Sequence, residues 1–299
     1  SSSPFGINNS GQIVGAFETS TGEEGGFLDT NGSFTTINVP GALDTIPIGI
    51  NQSGQIVGTF DTSAVEEGFL AASMATDNWI GGTDVWNGPS NAHNWTTGEI
   101  PRASDTVIIG TGPGGTVTFN DSNDTISGLT LQGDYTLDLK PDNVLNVTSG
   151  GQVVVGDAST GTLTIESGAV LSSATDAAAD GPSGIIGNQA NSNGTVQVTT
   201  AGEWNDAGSL VIGNSGDGGL KIQSGGIVND ASVKIGVAGS SSGIVDVNGA
   251  GSQWNNLTGQ VEVGVAGLGS LSLEAGATGS SGGGLDIGVA TSAYSDSMT

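Results

Sequence analysis

The stretch 218–228, G-G-L-K-I-Q-S-G-G-I-V, is one copy of a phrase that recurs along the second half of the chain. It reads G-T-L-T-I-E-S-G-A-V at 161–170, G-T-V-Q-V-T-T-A-G-E-W at 194–204, G-I-V-D-V-N-G-A-G-S-Q-W at 243–254 and G-S-L-S-L-E-A-G-A-T at 269–278. A shorter phrase alternates with it: V-V-V-G at 153–156, I-I-G at 185–187, L-V-I-G at 210–213, V-K-I-G at 233–236, V-E-V-G at 261–264 and L-D-I-G at 285–288. The glycines that close this phrase fall 23 to 31 residues apart. Periods of that length mean stacked units.

Within each copy apolar residues alternate with Thr, Ser, Lys, Asp or Gln, the period of a strand with one buried face. Glycines and Asn, Asp or Ser bound the strands and supply left-handed corners. No unit can bury its apolar side alone, whereas stacked units share one narrow core. The pattern therefore predicts an all-β chain, with a right-handed parallel β-helix over 126–299. Leu163, Ile165, Leu220, Ile222, Val245, Val247, Leu271 and Leu273 hold equivalent strand positions and are expected in that core. A β-sandwich also has regularly spaced short strands, but it does not repeat side-chain identities at fixed offsets.

Composition agrees with a thin core. Of 299 residues 54 are glycine and only 5% are aromatic, so Val, Ile, Leu and Ala must fill the interior. Four basic residues face 30 acidic ones, a net charge of −26. Such a chain repels phosphate backbones and anionic lipid, which argues against a nucleic-acid partner. The charge also keeps a repetitive β protein soluble and blunts edge-to-edge pairing. The absence of cysteine excludes a disulfide framework, thiolate metal sites and cysteine catalysis. No run approaches the ~18 apolar residues of a membrane helix, so no direct membrane insertion is expected. The sequence opens at Ser1 without a leader and stops shortly after a coil phrase, as a mature form or a fragment would.

Residues 1–72 carry a different repeat. G-I-N-N-S-G-Q-I-V-G at 6–15 returns as G-I-N-Q-S-G-Q-I-V-G at 49–58, and each copy leads through paired glutamates to Gly-Phe-Leu. Asn-x-Ser-Gly before Gln-Ile-Val is a turn feeding a strand. About four short strands per copy is the size of a propeller blade, and two blades cannot close a ring. Residues 73–125 form a junction in which Trp79, Trp86 and Trp95 crowd together. They read as a cap that plugs one end of the solenoid, or, as the functional alternative, as a sugar-stacking platform built on Trp86 and Trp95. Residues 172–184 widen the repeat and read as a loop bulging from one coil.

Several phrases carry a resemblance. G-E-W-N-D at 202–206, L-V-I-G at 210–213, L-K-I at 220–222 and G-A-G-S-Q-W-N-N at 249–256 resemble the passenger repeats of bacterial autotransporters, as does the stretch from Asn94 through Ile100–Pro101 to Asp105–Thr106–Val107. The resemblance covers about 78–290. Residues 6–70 look like the extracellular HAF repeats of bacterial surface proteins. Membership would imply a right-handed β-helix exported through an outer-membrane barrel, and thus an extracellular or outer-membrane-surface location in a Gram-negative bacterium. It would not imply one activity, because passengers include adhesins, proteases and esterases.

Catalytic material is sparse. His93 is the only histidine, and the Gly-x-Ser-x-Gly matches around Ser241 and Ser281 lie in Gly/Ser-rich runs that open no helix. A polyuronate-cleaving site needs basic groups, and Arg102, Lys140, Lys221 and Lys234 are all there are. A carboxylate-pair glycoside hydrolase, the alternative to a non-enzymatic role, would draw on Glu203 beside Trp204 or Glu99 near Trp95. N-D-S-N-D at 120–124 resembles a calcium loop only in its oxygen content and reads as a solvated turn. No catalytic residue, metal or cofactor is assigned. Asn205, Asn229 and Asn255 recur at equivalent places. They are expected to stack as a structural ladder, or, with Trp204 and Trp254, to form a ligand-binding stripe. The expected role is a structural or adhesive stalk making polar, multivalent contacts with glycans, matrix, other cells or a second copy of itself.

Overall fold

The computed structural model describes residues 2–9, 11–18, 22, 24–30, 32–52, 54–63, 65–71, 76–88, 91–148, 150–174, 181–288 and 297–298. The chain divides into two compact units, 1–74 and 75–299. The first holds two antiparallel sheets. Ser2–Ile7, Ile13–Glu18, Glu24–Thr30 and Ser33–Ile37 form a four-stranded meander; Asp44–Ile50, Ile56–Asp61 and Glu66–Ala71 form a three-stranded one. The two copies of the sequence repeat make the same turn. Asn8 accepts from the Gln12 backbone at 3.1 Å and its side chain donates to Gln12 at 2.8 Å; Asn51 and Gln55 repeat this at 2.9 and 2.7 Å. Gly11 and Gly54 follow at φ 76° and 74°.

The second unit is a parallel β-solenoid of about eight turns. Three sheets run along it. The first has nine strands from Thr76–Trp79 to Leu285–Ile287, the second nine from Asp84–Val85 to Ser297–Met298, and the third seven from Asp124–Ile126 to Thr278–Ser281. One coil contributes one strand to each, as in Gly184–Ile186, Asn193–Thr199 and Glu203–Asp206. Every pairing between coils is parallel and in register, so equivalent residues form straight files about 4.8 Å apart.

Alternation decides which files face inward. On the second sheet Leu163, Val196, Leu220, Val245 and Leu271 form one apolar file, and Ile165, Val198, Ile222 and Val247 another, all buried. Leu273 ends the second file half-buried against the same core. The glycine that closes each short phrase has φ between 66° and 73°, from Gly156 to Gly288. A side chain there would also strike the next coil: a Cβ on Gly213 would lie 2.4 Å from the Ser242 carbonyl oxygen. These glycines therefore turn the corner where no other residue fits.

The solenoid begins earlier than the boundary at 126. Thr106–Ile109 pairs in parallel with both Thr76–Trp79 and Gly128–Leu131, and Gly115–Phe119 pairs with Tyr135–Leu139. The first coil hides its pattern because tryptophans replace the usual Val and Leu and because residues 86–105 stand between its second strand and the next coil, where a third-sheet strand would be. Trp79, Trp86 and Trp95 fill that coil's interior edge to face, with centroids 4.9 Å (79–95) and 4.8 Å (86–95) apart, and Trp86 meets Phe119 at 5.3 Å. The bulge expected at 172–184 has its middle, 175–180, outside the described residues.

Candidate functional site

The tryptophans proposed as ligand platforms are core residues. Trp86 and Trp204 are fully buried, Trp95 is 1% exposed and Trp254 2%. None presents a ring face to solvent, so neither the Trp86–Trp95 platform nor the Trp204–Trp254 stripe exists as a surface site. The reason is phase: in Glu203–Asp206 and Gln253–Asn256 the tryptophan is the second residue, and in these strands the second and fourth residues point inward. Each indole also has an internal hydrogen-bond acceptor. Trp204 donates to Ser173 Oγ at 3.2 Å, Trp254 to Asp230 Oδ2 at 2.5 Å, Trp95 to the Trp86 carbonyl at 3.3 Å and Trp86 to Asp124 at 3.1 Å.

The asparagines lie on the outer side of the same strands and form a ladder. Asn229 donates to Asn205 Oδ1 at 2.7 Å, and Asn255 donates to Asn229 Oδ1 at 2.9 Å. Each amide thus passes its hydrogen bond to the coil before it, which clamps successive coils at one spacing. A second ladder runs over the corner after the first sheet, where Asn214 donates to Asn188 at 2.9 Å and Asn188 to Asp157 at 2.7 Å.

The residues considered for chemistry are dispersed. Glu99 sits on a loop, ion-paired with Arg102. Glu203 points outward and accepts from Asn205 at 3.4 Å, while its neighbour Trp204 points inward, so the two do not share a cleft. His93 is exposed in the short turn Asn91–Asn94. Ser241 is buried and donates to the Ala238 carbonyl; Ser281 donates to that of Gly284. Lys234 faces Glu262 at 3.8 Å, and Lys140 sits between Asp138 and Glu166. In the 120–124 turn, Asp121 accepts from Asn87 and Asp124 from Trp86. Among the described residues, no three His, Asp or Glu side chains converge as a metal site.

What remains as a surface feature is the outer side of the second sheet. Thr116, Thr136, Thr162 and Thr195 lie side by side on four successive coils, half-exposed. Beside them runs a second file, Thr118, Asp138, Thr164, Gln197, Lys221, Asp246 and Ser272. The result is a flat strip of hydroxyl, carboxylate and amide groups repeating at the coil spacing of about 4.8 Å. Strict register makes it visible in sequence, since T-V-T, T-L-D, T-L-T and T-V-Q occupy one strand position in consecutive coils. At the last coils the core opens into an apolar cavity of about 310 Å³ between Trp254, Leu271, Leu273 and Leu285.

Sequence reasoning missed two aspartates inside the third sheet of the solenoid. Asp206 and Asp230 are 1% and 0% exposed. Their position was readable: an aspartate two residues after an inward Trp or Val must itself point inward.

No family model, curated protein or solved structure matches the chain.

Proposed function

We propose that this protein is a structural or adhesive stalk, secreted or displayed on the surface of a Gram-negative bacterium, of the kind the autotransporter-like and HAF-like phrases resemble. The carrying observation is the flat polar strip on the second sheet, with its file of Thr116, Thr136, Thr162 and Thr195. Such a strip offers many equivalent, individually weak hydrogen-bonding positions. Repetition converts weak contacts into avidity when the partner is itself repetitive. Neutral glycans of a matrix or a neighbouring cell fit this chemistry, and so does a second copy of the chain. A net charge of −26 disfavours sulfated or phosphorylated polymers. The pairing of Glu99 with Arg102 and the outward aim of Glu203 favour this reading over a carboxylate-pair hydrolase.

The test is a glycan and matrix-protein binding screen on the purified chain at high and low surface density. Binding should appear at high density, fade at low density and disappear when Thr136, Thr162 and Thr195 are together replaced by Glu with the β circular dichroism unchanged. Tight binding to heparin or DNA in chelator would overturn the reading. Absence of both binding and self-association would reduce the protein to a passive spacer.

A further inference from the structure

One inward file of the third sheet, apolar at Ile126 and Val147, turns polar from Ser173 onward. Ser173 pairs in register with Asp206, and Asp230 with Asn256. The pairing of Asn205 with Asn229 sets Asp206 beside Asp230 one residue further on. None of the four exceeds 2% exposure. Two carboxyl groups therefore lie on adjacent coils inside a core whose other files are mostly aliphatic and aromatic.

Their hydrogen bonds are unequal. Asp230 Oδ2 accepts from Trp254 at 2.5 Å and Oδ1 from Asn256 at 2.7 Å. Asp206 Oδ1 accepts from Ser173 at 3.0 Å, from Ser183, and from the Gly208 backbone at 3.3 Å. Among the described residues, Asp206 Oδ2 has no partner, nor has Asn256 Oδ1. The sequence explains the gap at Asp206. Trp254 lies one coil after Asp230 and donates back to it; the residue in register with Trp254 one coil earlier is Val228, which has no donor. Asp206 Oδ2 instead lies against Gly184, 3.0 Å from where a Cβ would sit, a place that Leu210 and Trp204 also crowd.

A buried oxygen with no donor is costly as a carboxylate and tolerable as a carboxylic acid. We propose that Asp206 and Asp230 form a proton-binding site built into the core, so that the solenoid is hardened by mild acid and its middle coils loosen as the medium turns alkaline. Among the described residues, the elements packed around the pair add no compensating charge. Val170–Ser173 brings Ser173, Gly184–Ile186 follows Ser183, Ser209–Ile212 brings Leu210, Ile227–Asp230 brings Val228, and Gln253–Asn256 brings Trp254 and Asn256. Glu203 shares a strand with Asp206 but points outward to Asn205, and Lys234 is held by Glu262. The charge bearing on Asp230 is that of Asp206.

Burial pushes Asp206 up to about 6. It pushes Asp230 up to about 7, with the charge of Asp206 adding to the rise. Both folded values lie above the ordinary 3.8, so across this interval the folded chain holds protons that the unfolded chain has released. The stability they confer is full below the unfolded value and is lost as pH rises through about 6 and then 7.

The proposal is independent of the adhesive reading and is tested on the full chain. Carboxyl carbon NMR of the wild type should show two aspartates titrating near neutrality, apart from the rest. The thermal midpoint should fall by roughly 5–10 °C between pH 5 and 8.5. The double variant Asp206→Asn, Asp230→Asn should lose most of that slope. All carboxyls titrating in the ordinary acid range would overturn the proposal. So would a wild-type midpoint flat across this window. A slope that survives in the double variant but vanishes with Asp77→Asn and Asp124→Asn, the two other carboxyls raised by burial among the described residues, would overturn it too. If calcium or sodium chloride raised the midpoint at pH 8.5 in the wild type and not in the double variant, the pair would be a cation site and the proposal would fail.

Discussion

Gly218 and Gly219 are neighbours on the strand Asp217–Gln223, and the same substitution should affect them very differently. Gly218 faces inward in a file of glycines that runs from Gly161 through Gly194 and Gly243 to Gly269. A Cβ there would lie 2.3 Å from the Gly213 nitrogen and 2.4 Å from the Ile186 oxygen. Those two atoms are hydrogen-bonded to each other at 2.7 Å, so the methyl would wedge into a bond between coils. Both are backbone atoms and cannot swing aside. Gly219 faces outward, and a Cβ on it meets nothing nearer than 3.9 Å. Gly218→Ala combines overpacking, about 1–3 kcal/mol, with a broken buried hydrogen bond, about 1–3 kcal/mol. The expected loss is thus about 3–5 kcal/mol. Gly219→Ala should be neutral or stabilising by up to about 1 kcal/mol, because alanine lowers the entropy of the unfolded chain. Urea denaturation at fixed pH and salt, followed by tryptophan fluorescence, reads both variants; Trp204 lies in the coil before the substitutions and Trp254 in the coil after. Midpoints are the quantity to compare, since stacked repeats need not unfold in one step. Equal midpoints for the two variants, or a larger loss for Gly219→Ala, would refute the inward assignment and the register of the whole sheet.

Asn229→Ala removes one donated and one accepted rung of the asparagine ladder and should lower stability by about 1–2 kcal/mol, measured by the same urea midpoints. Trp95→Ala empties the space between Trp79 and Trp86 and should cost about 3–5 kcal/mol; hydrogen exchange should show the loss concentrated in the strands up to Asp124–Ile126, leaving later coils protected. Lys234→Ala breaks a half-exposed pair with Glu262 and should change the thermal midpoint little, within about 0.5 kcal/mol.

The candidate site was half legible. Period-2 alternation with fixed register placed Asn205, Asn229 and Asn255 on one outer file, and the ladder follows from that. The same rule, applied to Trp204 and Trp254, would have put both indoles inside, where they are. Reading tryptophan as a platform attended to residue type and neglected phase. Phase also puts Asp206 and Asp230 in the core, against the general expectation that aspartate is solvated. The onset of the solenoid was harder to see. In its first coil Trp79, Trp86 and Trp95 carry the volume that Val and Leu carry elsewhere, and a long segment stands in place of the third-sheet strand, so no repeated phrase survives.

The sequence alone determined the architecture. Strands alternating with period 2, closed by glycine at intervals of 23 to 31 residues, have only one economical way to bury their apolar sides, which is to stack. Because the stacking is nearly one-dimensional, each residue's neighbours are its equivalents in the adjacent copies, and these can be read from an alignment of the chain with itself. Tertiary structure decided what depends on distances between files. It brought Trp254 within reach of Asp230, left Asp206 Oδ2 without a donor among the described residues, and set the acids beside one another in a medium where a charge is expensive. The repeat specifies which residues stack. Which atoms of those residues meet depends on rotamers and on the space that Gly184 and Val228 leave open, and these take definite values only once the coils are packed.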